Sequence, residues 1–551
     1  MPSIDEVIQR ANPRKVFTGV ALLVLTAFYS PIFVLTLAPV YGSAPASIFH
    51  NYGAALTAAA GWFLKDQVQR LTNRRAVYLL PVLALWVPTV EYLLLQQSAG
   101  FGNPTGPVIT GLLSYYPLVF LSVACAGKLI QTGLRLEQES DVIAEHVPLL
   151  SSYVIYSAGE HLANAFIAKS IGTFSLFSTA GLQLLVTLAY AAAVPSKFLL
   201  LAIPSVLFSL TSNVHLPFGH PTKAVNAALQ HEGYELLARQ DSTTGYISVL
   251  ENFHDGFRVM RCDHSLLGGQ WTTRLPETYA SPVHEPIYAV FTMLEYIRLI
   301  ETDRGESRTD ENSKALVIGL GVGTLPAALI NHGIETTIVE IDPVVHKFAG
   351  QYFGLPSNHI AAIEDASAFV KRSQVSEPAK YDYIVHDVFT GGAEPVELFT
   401  IEFIRGLAAL LKPEGVIAIN YAGDINLYPA GLAVRTIRAV FPTCRIFREE
   451  AAPESNTDFT NMIIFCKKSS ATPLTFRDPV PSDYLGSKSR QSYLVPKHEI
   501  DVSRFADHHH HGRPVLIAKE TGRLHKYQDR SALEHWGIMR DVVPDAVWEN
   551  W

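Results

Sequence analysis

The stretch from Ala315 to Pro343, ALVIGLGVGTLPAALINHGIETTIVEIDP, constrains the fold more than any other part of the chain. It reads as a buried strand (Ala315 to Ile318), a turn carrying Gly319, Gly321 and Gly323, a helix from Thr324 to Asn331, and a second strand that ends on Glu340. Glycines between strand and helix let the backbone come close to a ligand. An acid at the end of the second strand can accept from both hydroxyls of a ribose. The order of these parts, rather than the glycines alone, points to a nucleoside cofactor. The competing reading is an α/β crossover that uses glycine only for tight packing.

The pattern continues beyond Pro343. Helices are expected at Val344–Tyr352, Ala366–Arg372, Glu397–Leu411 and Arg435–Val440, and strands at Ile360–Ile363, Tyr381–His386, Val416–Tyr421 and Met462–Cys466. Alternating strands and helices imply a mainly parallel sheet. Upstream, Gly233 to Gly269 alternates in a β fashion and predicts a small antiparallel sheet, and Pro282–Ile300 has helical spacing.

In a parallel sheet of this kind ligands sit at the C-terminal strand ends. Glu340, Asp365 and Asp387 all fall there. The expected cofactor set is Gly319, Gly321, Gly323, Glu340, Asp342, Asp365 and Ala366. In it Glu340 meets the ribose, and Asp365 with the Ala366 backbone meets the adenine. Asp387 is the candidate catalytic residue. A carboxylate at the end of the cleft can orient an amine, take its proton and favour a cationic sulfonium.

The motifs VIGLGVGT (317–324), VEIDP (339–343), EDA (364–366), YDYIVHDVF (381–389) and LKPEGVIAIN (411–420) carry a resemblance. From His231 to Lys468 the chain resembles the spermidine synthase-like branch of the class I S-adenosylmethionine-dependent transferases. The resemblance implies S-adenosylmethionine, or its decarboxylated form, as cofactor, a seven-stranded Rossmann-like domain, and the site roles given above. Polyamine-forming members carry a second acid three residues after the catalytic one, where this chain has Thr390. They also have an acid in the glycine turn, here Val322, and a glutamine in the early sheet, near Gly245 and Tyr246 here. The nucleoside site is therefore kept and the diamine site altered. The fusion to apolar helices is similar to fungal membrane proteins labelled spermidine synthase.

Those helices occupy the first part of the chain. At 551 residues it exceeds one ordinary domain. From Val16 to Thr211 charges are sparse, whereas from His231 onward they are ordinary. Apolar stretches recur at Val16–Tyr41, Ser47–Leu64, Ala76–Gln96, Val108–Ile130, Val147–Ile167, Thr173–Val194 and Phe198–Leu210. A bilayer crossing takes about 20 apolar residues, so six to seven crossings are expected. The fold class read from the sequence is thus a multi-span α-helical membrane region followed by the α/β domain and its small β sheet. The expected segments are 1–215 (membrane), 231–280 (β sheet), 281–468 (transferase domain) and 469–551 (an extension docking on the transferase domain).

Arg10, Arg14 and Lys15 before the first stretch, and Lys65, Arg70, Arg74 and Arg75 after the second, predict a cytosolic N-terminus. A cofactor drawn from the cytosol favours an even number of crossings and a cytosolic α/β domain. Glu91, Glu160 and His161 fall inside the stretches and read either as pairs within the bundle or as functional groups. Glu91, near a stretch end, reads as structural.

The net charge of −8 and the lack of any lysine- and arginine-rich block exclude a nucleic-acid partner. Cys125, Cys262, Cys444 and Cys466 lie far apart with no metal spacing or disulfide framework, which suits a reducing compartment. No metal site is expected, and the run His508–His511 reads as a solvated loop. Three functions are compatible with these features. The first is an integral-membrane methyltransferase acting on a small-molecule amine, a protein or another nucleophile. The second is an aminopropyltransferase, and the third a membrane scaffold or transporter with a degenerate nucleoside domain. The partners expected are the lipid bilayer and the acceptor.

Overall fold

The computed structural model describes residues 11–136, 141–216, 221–273, 281–305, 308–388, 391, 395–453, 458–506 and 515–551. Arg10, Thr390 and His508–His511 lie outside the described residues. The chain forms two compact units. One comprises Met1–Glu232, Gln240–Tyr246 and Val543–Trp551; the other comprises Gly233–Arg239 and Ile247–Val542.

The first unit is helical. Each apolar stretch forms helix, the main ones being Pro13–Tyr41, His50–Phe63, Leu80–Leu95, Tyr115–Gly133, Asp141–Ser170 and Thr179–Ala193. Small residues let them pack closely: a Cβ at Gly61 would lie 2.4 Å from the Phe120 carbonyl oxygen, so the backbones approach there. Helix length and composition bear out part of the expected six to seven crossings. Among the described residues two helices, Pro13–Tyr41 and Ala76–Leu95, are long and apolar enough to cross a membrane. A third qualifies only if Thr105–Leu113 and Tyr115–Gly133, bent by 45°, count as one. His50–Phe63 has 14 residues and Thr179–Ala193 has 15. At about 1.5 Å per residue each falls short of a hydrocarbon core of about 30 Å. Glu160 is paired inside the unit: Ser30 Oγ donates to it at 2.5 Å and meets His50 Nε2 at 2.8 Å. His161 is exposed.

The second unit holds the main sheet and most of a smaller one. The strands β1 (Tyr234–Ser242), β2 (Gly245–Asn252), β3 (Phe257–Cys262) and β4 (Ser265–Trp271) form an antiparallel sheet in sequence order, as the alternation predicts. The main sheet contains β5 (Lys314–Ile318), β6 (Glu335–Glu340), β7 (Ile360–Ile363), β8 (Tyr381–His386), β9 (Leu411–Asp424), β10 (Thr443–Arg448), β11 (Phe459–Lys467) and β12 (His498–Ile500). Their order is β12-β10-β11-β9-β8-β5-β6-β7. The five from β5 to β9 are parallel, and β10, β11 and β12 pair antiparallel. Eight strands, rather than seven, arise because β12 from the C-terminal extension pairs with β10.

Strand polarity places the tips of β5, β6, β7 and β8 on one edge, and apolar cores cover both faces. Ile318, Ile384, Ile417 and Ile419 pack on one side, and Val317, Val385, Val416 and Ala418 on the other. The expected helix Pro282–Ile300 shrinks to Ala289–Leu294 followed by a 3-10 turn, Glu295–Leu299. Pro282 and Pro286 keep the chain before it from continuing a helix. The extension is fastened by a fully buried fork, Arg490 Nε and Nη2 donating to the two oxygens of Glu295 at 2.8 and 2.7 Å.

Two expectations change here. Cys444 and Cys466 face each other across β10 and β11 and form a disulfide, which sequence distance concealed. Nor does the whole of 469–551 join the transferase domain. Val543–Trp551 packs within the helical unit, where Ser98 Oγ donates to Glu549 Oε1 at 2.7 Å and His215 Nε2 meets the Glu549 carbonyl oxygen at 2.7 Å.

Candidate active site

The glycine turn leaves β5 and opens helix Thr324–Asn331. Gly319, Gly321 and Gly323 have φ of +88°, +54° and +85°, a region closed to most side chains. Space closes it as well. A Cβ at Gly319 would run into the Asp387 carbonyl oxygen, and one at Gly321 would lie 2.6 Å from the Leu267 carbonyl oxygen of β4. The glycines therefore pack the turn between the end of β8 and the small sheet, and also keep it bare of side chains toward a ligand.

Glu340 ends β6 beside this turn and is 8% exposed. Leu320 N–H donates to Oε2 at 3.0 Å and Asp342 N–H to Oε1 at 2.9 Å. Burial pushes the carboxyl up to about 7, against the pull of the backbone amides of Asp342, Leu320 and Ile341. A carboxylate has about four lone-pair sites. Two are filled here, leaving two for a diol, so the residues fit the ribose of a nucleoside. The neighbouring tip is tied to it, Glu364 N–H donating to the Glu340 carbonyl at 3.0 Å.

Asp365, next along, is exposed and caps helix Ala366–Ser376 by accepting from Ala368 N–H at 2.9 Å. Asp342 lies two residues beyond the end of β6. It is fully buried and caps helix Pro343–Tyr352, accepting from Val344 and Val345 N–H at 2.8 and 3.3 Å. This capping, with the Asp342 N–H on Glu340, shapes the Glu340 loop.

Asp387 follows β8 and is anchored by its own N–H, which donates to the Ile318 carbonyl at 2.9 Å. Burial pushes its carboxyl up to about 6, while Asn420 Nδ2, donating to Oδ1 at 2.9 Å, pulls the other way. A cleft of about 240 Å³, its open mouth included, has Phe291, Gly319, Leu320, Thr324 and Asp387 on its wall. The structure thus brings the glycine turn, Glu340 and Asp387 to one edge of the sheet.

Sequence reasoning missed Asn420. Its link to Asp387 depends on β8 and β9 being neighbours, which no local motif encodes. It also passed over His386, which points the other way. The His386 ring is fully buried, edge-on to Phe399 at 5.0 Å, and burial drives it down to about 4, so it stays neutral.

Comparison with known proteins adds to this geometry. A spermine/spermidine synthase domain model matches residues 297–469. A protein of Emericella nidulans called N-terminal histidine N-methyltransferase is 63% identical over 558 positions, with all of both chains covered. The chain belongs to that protein's family. It is a methyltransferase, and its cofactor is S-adenosylmethionine or a derivative. A polyamine aminopropyltransferase of Vibrio vulnificus is 34% identical over 167 residues, which are 30% of this chain and 52% of the relative. Among solved structures, a probable spermidine synthase from Corynebacterium glutamicum is 16% identical with a TM-score of 0.37, covering 49% of this chain and 91% of its own.

Proposed function

We propose that this methyltransferase acts on a nitrogen of an N-terminal histidine, the acceptor in its relative's name. The observation that carries the proposal is 63% identity across the whole of both chains, not the α/β domain alone. S-adenosylmethionine supplies an electrophilic methyl carbon on a cationic sulfur. In this reading Glu340 takes the ribose hydroxyls, the glycine turn leaves room for the backbone to approach, and Asp365 with the Ala366 backbone meets the adenine.

The lone-pair nitrogen of the imidazole takes the methyl as the sulfur–methyl bond breaks and leaves a neutral thioether; Asp387 holds the acceptor and accepts the proton that the other ring nitrogen then gives up. Its carboxyl, pushed up to about 6, lies near the ordinary imidazole value of about 6.5. The proton then passes between groups of similar affinity, which suits general-base work near neutrality. The test is mass spectrometry of peptides treated with S-adenosylmethionine and the full-length protein. A peptide beginning with histidine gains one CH₂ on its first residue; the same peptide with an acetylated N-terminus, or with alanine first, does not. Equal methylation of all three would overturn the acceptor assignment. Turnover of putrescine with decarboxylated S-adenosylmethionine would favour the aminopropyltransferase reading.

We also propose that the helical unit sits in a bilayer as a multi-pass anchor. Large apolar side chains on its surface support this, among them Phe17, Tyr52, Leu56, Phe63, Leu200 and Leu210. The Cys444–Cys466 disulfide fits an oxidising compartment, and so an α/β unit outside the cytosol rather than within it. Residues 231–551 are then protected from added protease in sealed microsomes, and their digestion there would reverse the assignment.

A further inference from the structure

The helical unit contains a second recess whose chemistry the methyl-transfer site does not use. Glu91, on helix Leu80–Leu95, is 1% exposed. Gln183 Nε2 donates to its Oε2 at 2.6 Å, while Oε1 has no hydrogen-bond partner among the described residues. The carboxylate lines a cleft of about 270 Å³, its open mouth included, together with Tyr92, Gln183, Asn213, His215 and Trp551. All belong to the helical unit, and Asp387 belongs to the other.

The wall is built rather than incidental. The C-terminal Trp551 is 5% exposed and stacks on His215, with ring centroids 4.5 Å apart. The His215 ring is fixed by the Glu549 carbonyl at 2.7 Å and by the Tyr92 ring edge, centroids 4.9 Å apart. Trp551 Nε1 also has no partner among the described residues. Glu549 is held in turn by Ser98. Trp551, held through His215, thus forms one side of the cleft that Glu91 also lines.

An unmet carboxylate oxygen inside an apolar bundle is costly and calls for a donor. No lysine or arginine lines the cleft among the described residues. Aromatic rings beside the acid favour a positively charged guest through their negative faces. They disfavour a bare divalent cation, which takes six or more oxygens. The small volume limits the guest to a few heavy atoms. We propose that this cleft binds a small organic ammonium group, which donates N–H to Glu91 Oε1 and sets its charge against the rings of Trp551 and Tyr92.

The test is calorimetric titration of the full-length protein in detergent with propylammonium chloride. 1-Propanol serves as the neutral counterpart of similar shape, and sodium chloride controls for ionic strength. Propylammonium is expected to bind saturably, and propanol and sodium not at all. Glu91→Gln, which keeps the shape and an oxygen for Gln183, weakens binding at least tenfold. Trp551→Phe, which keeps an aromatic ring, weakens it several-fold. Absence of saturable binding to the unaltered protein would overturn the proposal and mean that Glu91 carries its own proton. So would equal binding of propanol, or undiminished binding in Glu91→Gln. If that variant does not fold, the propylammonium–propanol contrast in the unaltered protein decides alone.

Discussion

Glu340 in the α/β unit and Glu91 in the helical unit are both buried glutamates, and they are answered in opposite ways. At the tip of β6, two backbone N–H groups reach the carboxylate, one per oxygen. Inside the helical unit a single side chain, Gln183, reaches one oxygen, and among the described residues nothing reaches the other. The cause lies in the backbone. Where strands end and a turn begins, amides are released from the sheet and can point at an acid. Within a helix they are consumed by the i−4 carbonyls, so only side chains or a guest can respond. A sheet edge can therefore fix an acid before its ligand arrives, whereas a bundle leaves the acid's demand open. Asp387 stands between the two, with one side-chain donor and a near-neutral carboxyl.

The largest effect should come from removing charge where the proton moves. Asp387→Asn keeps the size and the bond to Asn420 but cannot accept a proton. Methyl transfer should fall by about 10²- to 10⁴-fold, the usual worth of a general base. Cofactor affinity, measured by calorimetry, should stay within about tenfold, because the loss lies in the transition state. Turnover near the normal rate would remove Asp387 from the chemistry and leave Glu340 as the acid that matters.

Glu340→Gln tests the pre-built side of the contrast. The amide has one acceptor oxygen, so either Leu320 or Asp342 N–H faces a donor instead. Bonds to charged groups are worth about 1.5–3 kcal/mol each, so cofactor affinity should drop about tenfold or more. Stability should respond to pH as well. Burial raises Glu340 from 4.5 to about 7. Between those values the folded protein keeps a proton that the unfolded chain releases. Stability therefore falls as pH rises through that window. Thermal melts across it should show the slope in the unaltered protein and a flatter one in the variant.

The α/β unit was legible almost element by element, and the reasons are local. Helix Thr324–Asn331 and strands Ile360–Ile363 and Tyr381–His386 fall where periodicity and glycine place them. Glu340 and Asp387 follow from the rule that parallel strands carry ligands at their ends. What stayed hidden depends on partners far apart in sequence. Asn420 reaches Asp387 only because β9 lies beside β8, Cys444 meets Cys466 only through strand register, and β12 joins an edge that its three residues do not announce. The capping role of Asp342 was hidden too, since a sequence motif does not show which N–H groups an acid past a strand end will accept from. In the helical unit composition marked where helices lie. It did not mark where they break, as between Leu113 and Tyr115, or how long each unbroken helix runs.

Activity should depend on pH through Asp387, which must be ionised to take a proton. Its carboxyl is pushed up to about 6, so kcat/KM should hold level above that value and lose about tenfold per unit below it. An imidazole acceptor that protonates near 6.5 adds a limb of its own. The two limbs merge in the unaltered protein and make the profile steeper than one titration allows.

Asn420→Ala separates those limbs and carries the smallest expected effect. The Asn420 N–H stabilises the charged form of Asp387 and so pulls its carboxyl down. Without it the carboxylate is less favoured, and the enzyme's limb should move to higher pH while the acceptor's limb stays in place. At a pH well above both limbs the rate should fall only several-fold, since Asp387 keeps its charge but loses one restraint on its orientation. The shift matters more than the rate, because a change in packing alone would lower the plateau without moving the midpoint. An unmoved midpoint would mean that Asp387 owes its proton affinity to burial alone. The edge of the sheet would then resemble the helical interior more closely than the contrast between Glu340 and Glu91 implies.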